Sequence, residues 1–567
     1  MNLLRLLKLI WSTLIYISFN HKNISLNVSF YSSPDNPIIQ TNSGKIKGQL
    51  AETIYGDKYY YFDGVPYGQP PVGENRFKAP RPILKWSGIK DCTKQPNKSL
   101  QFNGRVNEVQ GSEDCLYLSI NVKKLHTHPK LPVMVYLHGG GFNGGDSTRR
   151  AWGPDYFMMK DVILISVGYR LGALGLTKFN DKSLEVPGNC ALLDAVLALQ
   201  WIQDNCLCFN GDPENITLFG HSSGSHMVHM LMQTPITKDL FHKAILLAGF
   251  HMDLFPHPKW QYRLAKKLGY AGQEDDEKSL CDFLSKMEAS NLVNFDIFTE
   301  EEKQLFEIIK MYPCWPTMDD SIITQNPAIA QRSAWSNNIP LMMGSTSTEA
   351  LAQYKKFHNN PETYEMFKKN PRLLLADNLK TLQDEQLIRK LCNKIKDIHF
   401  GDKEVTVANF QLALMNESYN MIYHNEHRLI QSRLKYASAP TYVYRFDFDS
   451  PYFNFYRQRF CGPDVRGVGH VDELGYIFLL PDAYKLEANT PEYQCIVQMI
   501  ETFYSFAKNS DPNNRHLQPA HWEPVQHKSV PYCLNIGYDR TVFMPWPEYE
   551  KCCARDEVYK MTDIVLY

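Results

Sequence analysis

Runs of consecutive apolar residues bounded by turn formers recur along the chain, with helical patterns between them. Leu131 to Leu137 (LPVMVYL) is one such run and Val162 to Val167 (VILISV) is another. Ile216 to Phe219, Ala244 to Leu247 and, much later, Ile339 to Met343 are further ones. Short runs apolar at every position read as strands buried on both faces. Ala191 to Asn205 instead repeats its apolar residues at helical spacing. Strands alternating with helices predict an α/β fold, with a mostly parallel central sheet and helices on both faces. Ile38 to Phe62 alternates more and carries turn residues, which predicts antiparallel hairpins. The charged, helix-rich stretches Trp260 to Gln304 and Pro361 to Arg428 predict helices inserted over the sheet.

Residues 1–34 follow a different pattern. Leu3, Leu7, Ile10, Leu14 and Ile17 fall on one side of a helix, with Arg5, Lys8 and Ser12 opposite. Such an amphipathic helix lies on a membrane or lipid-droplet surface and is too short to span a bilayer. A secretory signal segment is the alternative, although Asn20-His21-Lys22-Asn23 after the apolar stretch offers no small-x-small cleavage site. The expected location is therefore intracellular, cytoplasmic or at a membrane surface, with secretion as the alternative. Five Asn-x-Ser/Thr sites, at Asn23, Asn27, Asn97, Asn215 and Asn416, bear on this only if the chain is secreted.

Charge removes one class of partner. Lys+Arg total 60 and Asp+Glu 61, so no bulk field attracts nucleic acid. The 13 cysteines show no zinc spacing, so no metal is expected, and most read as buried thiols. No nucleotide motif is present either, and no cofactor is expected.

Candidate chemistry sits at the ends of the apolar runs. Ile216 to Phe219 leads into Gly220-His221-Ser222-Ser223-Gly224 and then a helical stretch. G-x-S-x-G between a strand and a helix is the setting of a nucleophilic serine. Side chains at Gly220 or Gly224 would collide with backbone in so sharp a turn. Leu131 to Leu137 runs into His138-Gly139-Gly140-Gly141-Phe142, whose free N–H groups suit a carbonyl oxygen that becomes anionic. Gly140, Gly141 and Ser223 are the candidate donors of that oxyanion hole. Glu349 follows the apolar run Ile339 to Met343, and His470 lies on the Gly-flanked loop Gly467-Val468-Gly469. They are the candidate acid and base, in the order Ser, Glu, His. Asp472 and Glu473 compete for the acid role, but their nearness to His470 in the chain suits supports of its loop.

These residues, with Gly64-Val65-Pro66-Tyr67, Ser112 to Leu118 (SEDCLYL), Tyr169-Arg170-Leu171-Gly172, Asn210 to Ile216 and Gly467 to Phe478, resemble the type-B carboxylesterase/cholinesterase family, and most of all the insect α-esterases. The resemblance runs from about Asn42 to Pro547. It implies an α/β-hydrolase fold with helical lid insertions and one catalytic domain over 35–567. It also implies a serine carboxylic-ester hydrolase that forms an acyl-enzyme on apolar esters, as a broad-specificity or detoxifying esterase. The alternatives are an esterase for a lipid or hormone ester, a slow-turnover sequestering esterase and a non-catalytic binding homologue. Its positions pair Cys92 with Cys115 in a disulfide. The loop between them lacks the tryptophan with which choline-hydrolysing relatives hold a quaternary ammonium, which argues against acetylcholine. The chain departs from the family at three positions. His221 stands where Glu is usual, Ser225 where Gly or Ala is usual, and Ala350 where Gly is usual.

Overall fold

The computed structural model describes residues 34–253, 260–293, 297, 314–526 and 530–567. The amphipathic segment expected at the N-terminus lies outside them. Eleven strands form one sheet. In chain order they are β1 (Gln49–Glu52), β2 (Lys58–Pro66), β3 (Tyr117–Val122), β4 (Leu131–Leu137), β5 (Ile163–Val167) and β6 (Gly211–His221). β7 (Lys243–Leu247), β8 (Leu341–Thr346), β9 (Thr441–Asp447), β10 (Tyr532–Gly537) and β11 (Thr541–Pro545) complete it. The spatial order is β11-β10-β9-β8-β7-β6-β4-β5-β3-β2-β1. From β10 across to β5 every neighbouring pair is parallel, and both margins are antiparallel.

The principal helices are α1 (Cys190–Asn205), α2 (Ser223–Gln233), α3 (Glu385–Phe400), α4 (Phe410–Ser418), α5 (His424–Tyr436), α6 (Pro491–Asn509) and α7 (Tyr549–Tyr559). Successive side chains of a strand point to opposite faces, so each apolar run feeds two cores. Val133, Val135 and Leu137 join Ile216, Leu218 and Leu246 on the face covered by α1 and α2. Met134, Tyr136, Phe219, Ile245 and Leu247 join Ile496, Met499 and Phe503 of α6 on the other. This two-sided burial is why the strands are apolar without alternation. A third core, with Leu351, Leu379, Leu391, Ile395 and Leu414, binds the inserted helices to one another. Among the described residues no helix is long and apolar enough to cross a membrane.

The strand order positions the site. From β6 the chain adds strands outward on one side, while β4 and β5 lie on the other, so the order reverses between β4 and β6. Ligands of open α/β sheets bind at such a switch point, beyond the carboxyl ends of the strands. β4 ends at Leu137, directly before the glycine loop, and β6 ends at His221, directly before Ser222.

One expectation is corrected. Cys92 and Cys115 are both buried and both free. The Cys92 thiol faces the Gly64 carbonyl at 3.8 Å, and Cys115 is engaged by Ser99. Each sulfur thus has a local polar contact in place of the bridge. Burial pushes both thiols up to about 12.

Candidate active site

Ser222 occupies a backbone conformation that few non-glycine residues adopt, φ 54° and ψ −124°. It is held there from two sides. Its N–H donates to Leu247 O at 2.8 Å, and its carbonyl accepts from His226 N at 2.9 Å. The flanking glycines have no alternative. A Cβ at Gly220 would lie 2.5 Å from the Gly224 carbonyl carbon, and a Cβ at Gly224 would lie 2.1 Å from Leu137 O. Their absence lets α2 start directly against the end of β4. The N-terminus of α2 therefore opens beside Ser222, where its unpaired N–H groups favour negative charge.

The glycine loop closes over the same point. A Cβ at Gly139 would stand 3.1 Å from Ser222 Cβ, and one at Gly140 would stand 2.0 Å from Gly144 O. Gly140 and Gly141 both have positive φ, 129° and 62°. The loop is braced from outside. Gln101 bonds both the N–H and the carbonyl of Gly145, at 2.9 and 2.6 Å. The His138 ring stacks on Tyr169 with centroids 4.4 Å apart, and the Tyr169 hydroxyl donates to His138 O at 2.6 Å.

His470 and Glu349 meet although most of the inserted helices lie between them in the chain. His470 Nδ1 is 2.6 Å from Glu349 Oε2. The other carboxylate oxygen, Oε1, accepts from Thr346 N at 2.6 Å. Glu349 is fully buried. Burial alone would raise its pKa, but His470 and the Thr346 N–H outweigh burial and leave it below the usual carboxylate range. The Glu349 segment is fixed in turn by Tyr423, whose hydroxyl donates to Thr346 O at 2.8 Å and accepts from Glu349 N at 3.3 Å. Tyr423 ends a π-helical turn, Tyr419–Tyr423, between α4 and α5.

Asp472 supports the His470 loop. Its carboxylate accepts from Gly469 N and Arg457 N, both at 2.9 Å, and burial still pushes it up to about 7. Glu473 points elsewhere: its Oε1 lies 3.4 Å from His221 Nε2. Sequence reasoning missed Tyr423, Gln101 and this Glu473 contact, because each depends on a contact between segments distant in the chain.

Ser222, Ser223, Gly139, Gly140, Gly141 and His470 all line one cavity of about 790 Å³. Glu349 lies behind His470, away from the opening. The cavity wall beside Ser222 includes His226, 8% exposed, and Trp315, whose rings meet edge to face at 5.1 Å. Burial holds His226 down to about 3, so its ring is neutral. Met421, Phe455, Tyr456 and Leu480 form further apolar wall.

Comparison with known proteins identifies the family. The carboxylesterase family model matches residues 35–551. The chain is 32% identical to Esterase B1 of Culex pipiens over 539 residues, 92% of this chain and 98% of that one. It is 30% identical to a juvenile hormone esterase of Tribolium castaneum over 524 residues, 86% of this chain and 87% of that one. A crystal structure of juvenile hormone esterase from Manduca sexta, with OTFP covalently attached, superposes with a TM-score of 0.79 at 26% identity, covering 93% of this chain and 100% of that one. The chain thus belongs to the carboxylesterase family, as a serine carboxylic-ester hydrolase of the α/β-hydrolase fold.

Proposed function

We propose that Ser222 is the nucleophile, His470 the general base and Glu349 the acid that orients it. The observation that carries this reading is the 2.6 Å contact between His470 Nδ1 and Glu349, with His470 lining the same cavity as Ser222. A proton on Nδ1 leaves Nε2 free to take the Ser222 proton as Oγ attacks the ester carbonyl. The carbonyl oxygen becomes anionic beside the N–H groups of Gly140, Gly141 and Ser223, each worth on the order of 10²–10³ in rate. Collapse breaks the bond to the alkoxy oxygen, which leaves with the proton from His470. Water then repeats the sequence on the acyl-enzyme and restores Ser222.

The substrate class is apolar carboxylic esters, and the large, mostly hydrophobic wall favours broad specificity over a single small ester. An intracellular setting is favoured by one observation: all 13 cysteines are free thiols.

The test is pre-steady-state hydrolysis of p-nitrophenyl butyrate by wild type and Ser222→Ala. A burst followed by steady turnover, both lost in the variant, is the expected outcome. A stoichiometric burst without turnover would replace hydrolysis by sequestration. Retained hydrolysis in Ser222→Ala would overturn the assignment.

A further inference from the structure

The cavity wall carries a polar patch that the chemistry above does not use. Asp253 beyond β7, Asn378 on the short helix Asp377–Lys380, His424 and Asn425 at the start of α5, and Tyr559 at the end of α7 all line the cavity. None belongs to the loops that carry Ser222, Glu349 or His470. They form one connected group. The Tyr559 hydroxyl donates to Asn378 Oδ1 at 2.8 Å, and its ring centroid lies 4.6 Å from that of His424. The buried Arg428 of α5 ties the other side, where Nη1 donates to Asp253 Oδ2 at 2.7 Å and to Asn425 Oδ1 at 2.8 Å.

Each of these side chains has one polar end tied down, which settles what the other end offers. Asn425 and Asn378 commit their carbonyls to Arg428 and Tyr559, so each is left with its NH2 group. The Asn378 Nδ2 is buried with no partner among the described residues. His424 Nε2 lies 2.9 Å from Asp556 Oδ1. Burial would raise Asp556, but hydrogen bonds from His424 and His427 hold it well below the usual carboxylate range. An ionised carboxylate only accepts, so the His424 proton sits on Nε2. Burial pulls His424 down to about 4 against the pull of Asp556, so the ring is neutral and Nδ1 carries a lone pair. The patch therefore offers two donor groups and an acceptor, held from behind by buried partners. It offers no uncompensated charge. Every N–H of the Arg428 guanidinium is engaged and its charge is matched by Asp253, while Asp377 alongside pairs with Lys380 at 2.8 Å.

We propose that this patch is a subsite for a hydroxyl group carried on one arm of the ester, so that the enzyme accepts hydroxylated esters which a wholly apolar wall would reject. The inference rests on the reading of Ser222 as nucleophile and narrows its substrate class. A hydroxyl has one donor and two acceptor lone pairs, the complement of two NH2 groups and an imidazole lone pair. The arm it selects is neutral, because an ammonium or carboxylate buried here would find no free opposite charge. Against an apolar wall an unbonded hydroxyl lowers kcat/KM by about 5–150-fold. Against this patch that loss is offset by the bonds it makes.

The experiment compares kcat/KM on the full chain for ester pairs that differ by one terminal hydroxyl, over a series of chain lengths. One set varies the acyl arm, as p-nitrophenyl esters of ω-hydroxyalkanoic acids beside those of plain alkanoic acids. The other varies the alcohol arm, as butyrate monoesters of terminal alkanediols beside butyrates of plain alkanols. In at least one set, at the length that reaches the patch, the hydroxylated ester is expected to be cleaved within about threefold of its plain partner, or faster. Asn378→Leu and Asn425→Leu should then lower kcat/KM for that hydroxylated ester about 5–50-fold and raise it for the plain one about 2–5-fold. Such a crossing in either variant supports the subsite, since mere damage to the fold lowers both esters together. A hydroxyl that costs more than about tenfold at every length on both arms overturns the proposal. So do folded variants that move both esters in the same direction; if neither variant folds, the wild-type ratios decide. Ser222→Ala separates the two readings. If it abolishes cleavage of the plain esters, an unfavourable hydroxyl ratio counts against the patch only; if cleavage persists, the assignment of Ser222 itself fails.

Discussion

Of the two glycines that flank the Ser222 turn, Gly224 has the less room. A Cβ there would reach within 2.1 Å of Leu137 O and 2.5 Å of His138 O, both backbone atoms that no side-chain rotation can move. Gly224→Ala must push α2 off the end of β4 and withdraw the Ser222 backbone from the glycine loop. We expect a loss of at least about 100-fold in kcat/KM, with about 1–3 kcal/mol of stability lost to overpacking. Activity and melting temperature measured together check both effects. Glu349 makes a second prediction, through pH. Its folded pKa lies below the ordinary 4.5, so the stability it contributes is present above that value and is lost as pH falls through the folded pKa. Glu349→Gln should therefore lower the melting temperature most near neutral pH, and the gap to wild type should close below about pH 4.5. It should also reduce kcat on the order of 10⁴-fold, since an amide no longer fixes the proton on Nδ1. The candidate triad was legible at this scale because each member follows an apolar run or a glycine turn that advertises its backbone. The His221–Glu473 contact was not. Glu473 stands only three residues after His470, and which way it points is set by the packing of Tyr136, Tyr444 and the turn Asp472–Tyr476, not by its neighbours in sequence.

The strands and helices hold the reacting groups through a few buried polar ties. Arg170, directly after Tyr169, sends its guanidinium to Asp194 of α1, with Nη2 to Oδ1 at 2.7 Å and Nε to Oδ2 at 2.9 Å. Both side chains are almost fully buried, 2% and 0% exposed. Asp194→Ala would leave the arginine uncompensated, and such losses cost about 3–5 kcal/mol. Thermal inactivation should accelerate accordingly, while the acid limb of the activity profile stays in place. The inserted helices make a different kind of tie. Tyr423→Phe removes the hydroxyl that serves both Thr346 O and Glu349 N, leaving two buried backbone groups without it. About 1–3 kcal/mol of stability should go, and kcat should fall with KM little changed, because the acid shifts while the substrate wall stays. The elements visible in the sequence were those buried on both faces, such as β4, β5 and β7, and the largely buried helix α1. β8 begins at Leu341, two residues later than the apolar run starts, because Pro340 has no N–H for the ladder. β9 escaped notice because Arg445 and Asp447 interrupt its apolar run, and Arg445 proves to be paired with Glu548 at 3.0 Å. The π-helical turn at Tyr419–Tyr423 leaves no periodic signature, since it shifts phase inside an otherwise helical pattern.

Across the whole molecule, charge is balanced both in total and around the cavity mouth. The formal net charge is −1. Among the residues that line the cavity, Lys98, Arg105 and Arg459 are set against Asp146, Asp253, Asp377 and Asp482, and Arg459 is paired with Asp482. A surface neutralised in this way does not steer ions, so recognition must come from apolar contact inside the cavity. Two consequences follow for neutral esters. Raising NaCl from about 0.05 to 0.5 M should change kcat/KM less than about twofold, because no long-range field is there to be screened. Lengthening the acyl chain of a p-nitrophenyl ester from acetate should instead raise kcat/KM by up to about fourfold per methylene, the factor that ~0.8 kcal/mol of burial supplies. The rise should stop where the chain fills the share of the 790 Å³ cavity on the acyl side of Ser222. His226 and Trp315 tell which wall that is. His226→Ala, which widens the wall beside Ser222, should move the optimum to a longer acyl chain if the acyl group lies against them, and leave it in place if the alcohol does. A flat series combined with strong salt dependence would contradict recognition by the cavity wall and point to charge at its mouth.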